Sequence, residues 1–524
     1  LWVYIGALGH KFQRRVIALL GLDEMLDDPR IAQDPDRLFT PDNCVWVRDR
    51  MEIAFAAKDR AHWLAALEEA DVPSSPLLER SEWFGHEHVR AMGLRAELSH
   101  PVLGELLQVA SPIRLSATPA REVTLPPDPG ADQVLLDEIT SAASAVPPAP
   151  SATVVPATVV PAGAGPLAGT RVLSLGAYVA GPQSARMLGL LGADVIKVEN
   201  PAGDPWRMHG FQVNLGMRGL ALDVTDPAGR AAFYELVKSA DVVLDNFRPG
   251  VLERLGLDDA SLRELNPAVI TGSVTGFGAV GPMARRPGFD PVLQAISGMQ
   301  IAQGGDDEPV MLSFAVNDTG TAALTALGVT IALFHRARTG QGQRVETSLA
   351  ATSLFLQGGE LAAAPGQPPA GTGGRDFRGQ DPWHRYYQCT DGWIRVEGEP
   401  VSFPLEDLAG MAVDAARAAL AGTGVRTMRV YNAQDLVADP VLMRMGLAYR
   451  QQNEDGYVFY TPGQMALFSR TARSGPERPP GVGEHSTEVL REAGLPAEVI
   501  NELLAAKVAV QGRPVRPRVL TAYR

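Results

Sequence analysis

The stretch "TRVLSLGAYVAGPQSARMLGLLGADVIKVE", residues 170–199, predicts the fold of this chain. Its first part, 170–175, is a short apolar strand, and residues 181–192 indicate a helix that a glycine ends. Residues 193–199 form a second apolar strand. Strands separated by a helix imply a right-handed crossover and parallel pairing. The stretch therefore predicts a βαβ unit.

The same alternation continues downstream. Residues 227–240 indicate a helix with Pro227 in its first turn, and strands follow at 241–247 and 268–274. Residues 319–340 indicate one buried helix that ends in basic residues and a glycine, as helix C-termini prefer. We predict an α/β fold with a doubly wound, Rossmann-like parallel sheet.

The composition limits the possible partners. The chain has 524 residues and a formal net charge of -13, which argues against binding to nucleic acid or to an anionic membrane. No apolar run approaches the ~20 residues of a membrane span. Cys44 and Cys389 are the only cysteines, so neither a disulfide framework nor a cysteine metal site is expected. The nine histidines show no metal-ligand spacing, and we predict no metal and a reducing cytoplasm.

The chain contains a predicted linker and an internal repeat. Residues 142–168 are rich in proline, alanine and valine, which favours an extended, semi-stiff segment. Residues 66–94 match 419–447 at a constant offset of 353 positions, and both end in Met-Gly-Leu. Trp2 matches Trp393 at an offset of 391. Repetition at this length predicts tandem domains, because solenoid units span only about 20 to 50 residues.

Five segments follow from the repeat. The first is the small-domain part of a first copy, followed by the linker, a large domain, a shortened small domain and C-terminal helices that return to the large domain. Their predicted bounds are 1–141, 142–168, 169–390, 391–475 and 476–524. Because the chain opens on Leu1-Trp2 without an initiator methionine, we expect that it begins inside a longer protein.

One carboxylate, Asp318 in "SFAVNDTGTAAL", stands at the start of an apolar helix. An aspartate in that position is a good N-cap, but free helix N–H groups can also serve a reactive carboxylate. The local sequence leaves both roles open.

Glu199 ends the second strand, where a nicotinamide dehydrogenase has an acid that binds a ribose. The turn after the first strand lacks the G-x-G-x-x-G spacing of such enzymes, so we expect Glu199 to be a surface acid at a strand end. The glycine-rich segment 369–380 lacks the Walker lysine and indicates a flexible loop.

The ordered motifs of the second copy resemble the family III CoA-transferases, which include formyl-CoA transferase, carnitine CoA-transferase and the α-methylacyl-CoA racemases. The segments that carry the resemblance include "LAGTRVLSLGAYVAGP", "LGADVIKVENPAGDP", "LALDVTDPAGR", "ADVVLDNFRPGVLERLGL", "LNPAVITGSVTGFGAVGP", "PGFDPVLQAISG" and "NDTGTAALTALGVTIALFHRARTGQGQRVETSL". It resumes at "DGWIRV" and "PPGVGEHSTEVLREAGL". The resemblance implies a large CoA-binding domain with a smaller α+β domain.

The resemblance also implies site residues. Asp318 falls on the family nucleophile, which forms an aspartyl-CoA thioester, so we predict that it is both cap and reagent. The implied CoA-binding residues are Ala180, Leu222, Asn246, Phe247 and Arg254. The implied substrates are an acyl-CoA and a carboxylic acid.

Three positions depart from individual family members. Val179 and Asn200 replace a glutamine and an arginine of formyl-CoA transferase, which puts oxalate and formate in doubt. Phe289-Asp290 replaces the His-Asp pair of the racemases, and phenylalanine cannot move an α-proton. We therefore predict a transferase, with a racemase-like enzyme or a catalytically silent CoA-binding partner as alternatives. Gly371, Gly373 and Gly374 fall near a mobile family loop.

Family members are interlocked dimers. The resemblance therefore implies an interlocked homodimer, or an intramolecular pseudo-dimer in which the linker joins the two copies.

Overall fold

The computed structural model describes residues 2–142, 165–209, 213–452, 458–463, 466, 468–469, 471 and 478–513. Two compact units divide these residues. The first unit falls within 1–303, 309–371 and 467–524, and the second within 304–308 and 372–466. Most of the predicted linker, residues 143–164, lies outside the described residues. The five predicted domain bounds stay a prediction.

The N-terminal part of the first unit is mainly helical, with short strands. Its elements are β1 (Val3–Ile5), α1 (His10–Leu19), α2 (Glu24–Asp27), α3 (Pro41–Ala56), α4 (Arg60–Glu69), β2 (Ser74–Pro76), α5 (Arg80–Phe84), α6 (Glu87–Ala91), β3 (Arg95–His100), β4 (Gly104–Val109), β5 (Arg114–Leu115) and α7 (Gln133–Ala142). Strands β1 and β2 pair antiparallel, as do β3 and β4.

The rest of the first unit alternates strands and helices. Its elements up to the second unit are β6 (Arg171–Ser174), α8 (Ala180–Leu190), β7 (Asp194–Glu199), β8 (Arg218–Leu222), α9 (Pro227–Lys238), β9 (Val242–Asp245), α10 (Val251–Leu255), α11 (Asp259–Leu265), β10 (Ile270–Thr275), α12 (Asp290–Ile296), α13 (Met299–Gly304), α14 (Val316–Thr339), β11 (Arg344–Ser348), α15 (Leu349–Leu356) and α16 (Gly358–Leu361).

An eight-stranded sheet organises this unit, in the order β17-β8-β7-β6-β9-β10-β11-β5. Strand β17 is a short C-terminal strand, Ala509–Val510, that pairs antiparallel with β8. The six central strands are parallel, while β5 pairs antiparallel with β11. The predicted doubly wound parallel sheet is confirmed, with element bounds within a few residues of the predicted ones.

The strand order creates a crevice. Starting from β6, the chain first builds outward through β7 and β8, then returns to the other side of β6 with β9, β10 and β11. In open parallel sheets, ligands bind outside the carboxyl ends of the strands at such a reversal. The loops that follow β6 and β9 therefore border the expected ligand site.

Two apolar cores cover the faces of the sheet. On one face, α9 and α11 pack with the C-terminal helices α20 (Ser486–Glu492) and α21 (Ala497–Ala505). On the other face, α8 and α14 pack side by side. The predicted buried helix α14 is buried on one side only: Ala322, Val329 and Ala332 are fully buried, whereas Leu327, Ile331 and Phe334 are 51%, 40% and 64% exposed. Within the described ranges, every helix is too short or too polar to span a bilayer.

A third core joins the N-terminal part to the sheet domain. Trp83, Phe84 and Val89 pack there with residues of α12 and α15. His88 is fully buried beside this core, with its Nε2 2.7 Å from the carbonyl oxygen of Phe277. Its Nδ1 accepts the N–H of Met283 at 3.2 Å, so the ring is neutral, with the proton on Nε2.

Stability is expected to fall at acid pH because of His88. Burial lowers the pKa of His88 below the ordinary imidazole value, so the unfolded chain binds this proton first. The contribution is complete above pH ~6.5 and is lost as pH falls towards the folded-state pKa, by up to about 1.4 kcal/mol per pH unit. Urea unfolding of His88→Gln between pH 5 and 8 is expected to show a smaller acid slope than the native chain. An unchanged slope would exclude His88 as the cause.

The second unit contains a three-stranded antiparallel sheet, a hairpin and short helices. Its elements are β12 (His384–Cys389), β13 (Gly392–Glu397), α17 (Val413–Leu420), β14 (Arg426–Arg429), α18 (Ala433–Ala438), α19 (Pro440–Arg444), β15 (Ala448–Gln452) and β16 (Val458–Pro462). A small core packs α17 against β13, with Ile394, Val396, Val413 and Leu420 fully buried.

The segments matched in the sequence share one order of elements. Helix α4 is followed by β2, α5 and α6, and helix α17 is followed by β14, α18 and α19. Helices α5 and α18 begin 353 positions apart, as do α6 and α19. The sequence correspondence therefore extends to secondary structure.

Candidate active site

The loop after β6 is fixed by a buried ion pair. Lys197, in the centre of β7, is 1% exposed, and its Nζ lies 2.9 Å from the Asp204 carboxylate and also donates to the carbonyl of Gly176. The other Asp204 oxygen accepts the N–H of Tyr178 at 3.2 Å. Tyr178 has a left-handed backbone with φ of 63°. These bonds hold a strained loop at the crevice in one conformation.

Asn246, directly after β9, fixes the same loop. Its side-chain oxygen accepts the N–H of Ala177 at 2.9 Å, and its amide donates to the carbonyl of Ala177 at 2.7 Å. A Cβ at Gly181 would lie 2.9 Å from the Asn246 side chain. Close packing of the first turn of α8 against Asn246 therefore requires glycine at this position.

The prediction for Glu199 is wrong. We expected a surface acid, but Glu199 is 7% exposed and forms two hydrogen bonds with the Arg207 guanidinium. It also accepts the N–H of Asp204 at 2.9 Å. Glu199 therefore supports the loop that carries Asp204.

Asp318 lies inside the first turn of α14 and does not cap it. The residue before the helix is Ala315, and Asp318 is the third helical residue. The capping part of the prediction is therefore wrong. Among the described residues, no group donates a hydrogen bond to its carboxyl oxygens, which leaves them available to a ligand.

Asp290 performs the capping. It is the first residue of α12, it is 2% exposed, and its Oδ2 accepts the N–H groups of Asn317 and Asp318, the latter at 3.0 Å. Its other oxygen accepts from Gln294. A carboxylate from α12 therefore satisfies two of the free N–H donors of α14 and fixes Asp318 beside itself.

The environment of Asp318 changes its acidity. The residue is partly exposed, and many protein atoms surround its carboxyl group. Burial, and then the neighbouring charge of Asp290, raise the pKa of Asp318 well above its usual range. Asp318 is therefore expected to ionise at a higher pH than an ordinary aspartate.

Asp290→Asn is expected to move the acid limb of activity to lower pH. The substitution removes a negative charge that raises the pKa of Asp318, so Asp318 ionises earlier. The plateau rate is expected to fall about 10- to 100-fold, because an asparagine has one acceptor oxygen and cannot also accept the hydrogen bond that the other Asp290 oxygen takes from Gln294. The pH profile of kcat/KM measures both effects. If the acid limb of the kcat/KM profile lies at the same pH in Asp290→Asn as in the wild type, the charge of Asp290 does not raise the pKa of the group that controls activity.

Aromatic contacts connect the crevice loop to this carboxylate pair. The rings of Tyr178 and Phe289 lie 5.2 Å apart, and Phe289 directly precedes Asp290. Tyr4, from β1, is close enough to Asp290 to respond to its charge, and its hydroxyl lies 3.4 Å from the sulfur of Met311. Burial and the charge of Asp290 raise the pKa of Tyr4 to about 12, so Tyr4 is a neutral hydroxyl.

A cavity of about 330 Å³ opens at the carboxyl ends of β9, β10 and β11. Its apolar wall includes Phe247 and Leu252, together with Met92 and Leu94 from the N-terminal part. Three arginines also line it, namely Arg114, Arg248 and Arg344. A mixture of apolar walls and cations suits a ligand with a ring and phosphate groups.

The structure brings together only some of the predicted CoA-binding residues. Ala180 begins α8 and lies beside the loop that Asn246 holds. Phe247 lines the cavity, and Arg254 is exposed on α10, which also lines it. Leu222 is 1% exposed in a core and pairs with Ala509, so its side chain is not brought to the cavity. The glycine-rich segment 369–380 is divided, with residues 369–371 in the first unit and residues 372–380, including Gly373 and Gly374, in the second.

Comparison with known proteins agrees with this architecture. The model of CoA-transferase family III matches residues 1–133 and 167–401. The succinate–glutarate CoA-transferase of Agrobacterium fabrum is 39% identical over 203 residues, which is 35% of this chain and 51% of that protein. Human alpha-methylacyl-CoA racemase is 27% identical over 379 residues, 65% of this chain and 97% of that protein. The chain thus spans about half the length of several curated CoA-transferases that it matches.

A solved structure has the same fold. The CAIB/BAIF family protein from Brucella suis superposes with a TM-score of 0.55 at 26% sequence identity, covering 63% of this chain and 99% of that protein. The family model covers more than half of the chain, including β6 to β11 and the segment that carries Asp318. On this evidence the chain belongs to CoA-transferase family III.

Proposed function

We propose that this chain transfers CoA from an acyl-CoA to a free carboxylic acid, with Asp318 as the covalent nucleophile. The observation that carries the proposal is the position of the Asp318 carboxyl. Asp318 is a partly exposed residue in the first turn of α14, its carboxyl oxygens accept no hydrogen bond from the described residues, and the buried carboxylate of Asp290 accepts its backbone N–H. Helix α14 runs parallel to α8 on one face of the sheet, so both helices begin at the carboxyl edge.

The exchange needs four balanced steps. The Asp318 carboxylate attacks the thioester carbonyl, which gives a mixed anhydride and releases CoA thiolate. The thiolate then attacks the Asp318 carbonyl carbon, which releases the donor acid and leaves an aspartyl-CoA thioester. The acceptor carboxylate attacks that thioester and again forms an anhydride with free thiolate. Attack of the thiolate on the acceptor carbonyl gives the new acyl-CoA and restores Asp318, without ATP.

Positioning supplies much of the required catalysis. A carboxylate is a weak nucleophile, but a thioester held beside it reacts at a high effective concentration. Asp290 fixes the Asp318 backbone, and Asn246, Lys197 and Asp204 fix the facing loop. These contacts support a pre-arranged site in which the protein does not need to reorganise during the reaction.

The cavity at Phe247 is our candidate for the nucleotide end of CoA. Phe247 and Leu252 offer apolar surface to the ring system, and Arg114, Arg248 and Arg344 offer cations to the phosphates. Arg248 is also paired with Asp71, at 2.6 Å. The pantetheine arm would then extend along the carboxyl edge past Asn246 to Asp318.

The names of the relatives suggest a first assay. Several relatives are named as transferases of succinate, glutarate, mesaconate or malate, so short dicarboxylic acids are the first acceptors to test. Succinyl-CoA with free glutarate, without ATP, is expected to yield glutaryl-CoA and succinate in equal amounts. Hydrolysis to free CoA without a new thioester would contradict the transferase proposal for this pair, and a panel of other acids would extend the test.

Racemisation is not our proposal despite the racemase relative. The residue before Asp290 is Phe289, whose ring packs against Tyr178 and has no atom that accepts a proton. A silent CoA-binding partner is a different alternative. It would bind CoA without any acyl-CoA-dependent change at Asp318.

We also propose that this is a tandem chain whose two copies pair within one molecule. The N-terminal part would then be the small domain of the first copy. The support is the core that Trp83 and Val89 share with α12 and α15, and the common element order around α4 and α17. Sedimentation of the full-length gene product is expected to give a concentration-independent, single-chain mass. A dimer of tandem chains would contradict an intramolecular pair.

A further inference from the structure

The cavity at Phe247 contains a buried carboxyl group that the proposed reaction does not use. Asp245 is the last residue of β9 and is 5% exposed. Its Oδ1 accepts the N–H of Phe247 at 3.0 Å and the hydroxyl of Ser273 at 3.3 Å. Both partners belong to the cavity wall, so the carboxyl group is fixed in orientation at the ligand position.

Charged groups on four neighbouring segments face this cavity. Strand β11 contributes Arg344, paired with Glu346 at 2.8 Å, and β5 contributes Arg114. Arg248 follows β9, and Glu253 lies on α10. The arginines attract an anionic ligand, whereas an ionised Asp245 would place a negative charge, with little water to screen it, against the same ligand.

A neutral Asp245 would have the opposite effect. A protonated carboxyl group carries one O–H donor, which can bind a phosphate oxygen as the arginine N–H groups do. Burial is the main reason that the pKa of Asp245 is raised to about 7, with the charge of Glu253 acting in the same direction. The donors from Phe247 and Ser273 and the charge of Arg344 oppose this shift.

We propose that Asp245 binds the anionic nucleotide end of CoA as a neutral acid, donating a hydrogen bond from its O–H, so that CoA binding takes up a proton at this residue. The inference rests on the proposed function, because it requires CoA in the cavity. It adds a specificity-determining residue: ligands that offer an acceptor oxygen here are favoured, and their affinity decreases as pH rises.

The test is calorimetric titration of the full chain with free CoA. At pH 7.5, titrations in PIPES, HEPES and Tris, which differ in ionisation enthalpy, are expected to show a net uptake of protons, up to about one per CoA. Above pH 7 the dissociation constant is expected to rise by up to about tenfold per pH unit. If wild-type binding is independent of the buffer, the inference is overturned without any variant.

Two variants distinguish a failure of the Asp245 inference from a failure of CoA binding. Asp245→Asn keeps the shape and one donor, and is expected to bind CoA with the Asp245-linked uptake and pH dependence removed. Asp226→Asn, at the cap of α9 outside the cavity, is expected to keep both. If Asp245→Asn retains the wild-type uptake, the inference fails while CoA binding stands. If no form binds CoA at any pH, the proposed function fails.

Discussion

Asp318→Asn is expected to lower the rate of CoA exchange between an acyl-CoA and a carboxylic acid by roughly 10⁴- to 10⁶-fold. An amide has no carboxylate oxygen that can attack the thioester, so the covalent route is lost entirely. The substitution is nearly isosteric, and no described side chain depends on the Asp318 oxygens, so the fold should be retained. Exchange of labelled acid into the thioester pool measures the rate.

A matched control is Asp226→Asn. Asp226 caps α9 by accepting the N–H of Ala228, and asparagine is an equally good cap, so exchange should remain within about twofold of wild type. CoA binding by Asp318→Asn should also persist, since the proposed nucleotide cavity does not include Asp318. If Asp318→Asn retained a tenth or more of the wild-type rate, Asp318 would not be the nucleophile.

Lys197→Met is expected to destabilise the chain by about 3–5 kcal/mol. Both side chains of the Lys197–Asp204 pair are 1% exposed, so the substitution leaves the Asp204 charge buried without its cation. The carbonyl of Gly176 loses its donor at the same time. Chemical denaturation, followed by the fluorescence of Trp206 and the other tryptophans, measures the change.

The double variant Lys197→Met/Asp204→Leu separates stability from function. Replacing both charges with apolar groups should recover part of the stability, because no unpaired charge stays buried, although the N–H groups of Tyr178 and Trp206 lose this acceptor. It should not recover CoA affinity, since Tyr178 loses the carboxylate that holds its backbone. A single variant that loses less than about 1 kcal/mol would contradict the assigned role of the pair.

Much of the sheet domain could be predicted because its signals are local. Short apolar segments alternate with helices that have their own start and stop residues, such as Pro227 at the start of α9 and Gly340 after α14. The position of Gly340 in the left-handed region agrees with its predicted role at the helix end. Parallel pairing then follows from the crossover rule alone.

The incorrect predictions concern contacts and exposure that are set only when the chain folds. Asp318 could not be distinguished from an N-cap because the actual capping group, Asp290, lies 28 residues earlier in another helix. The contact between Glu199 and Arg207 needs a turn that brings the two together after β7. The long helix α14 has a continuous apolar sequence, so the exposure of Leu327 and Phe334 gave no periodic signal.

Two residues of the site were missed although the sequence contains a signal for each. Lys197 is a charge in the middle of the apolar strand "DVIKVE", and a buried charge requires a partner. Asp245 ends the apolar strand "VVLD" at the carboxyl edge, where ligands of parallel sheets bind. Their partners could not be identified, since Gly176, Asp204 and Ser273 come from separate segments.

The most direct test of the central claim is covalent capture at Asp318. The chain is mixed with an acyl-CoA, treated with hydroxylamine and digested, and the peptide that contains Asp318 is analysed by tandem mass spectrometry. The account predicts a hydroxamate on Asp318 that requires acyl-CoA and is absent from Asp318→Asn. If Asp318 stays unmodified while the same preparation catalyses exchange, or if the hydroxamate forms on another carboxylate, the account is contradicted.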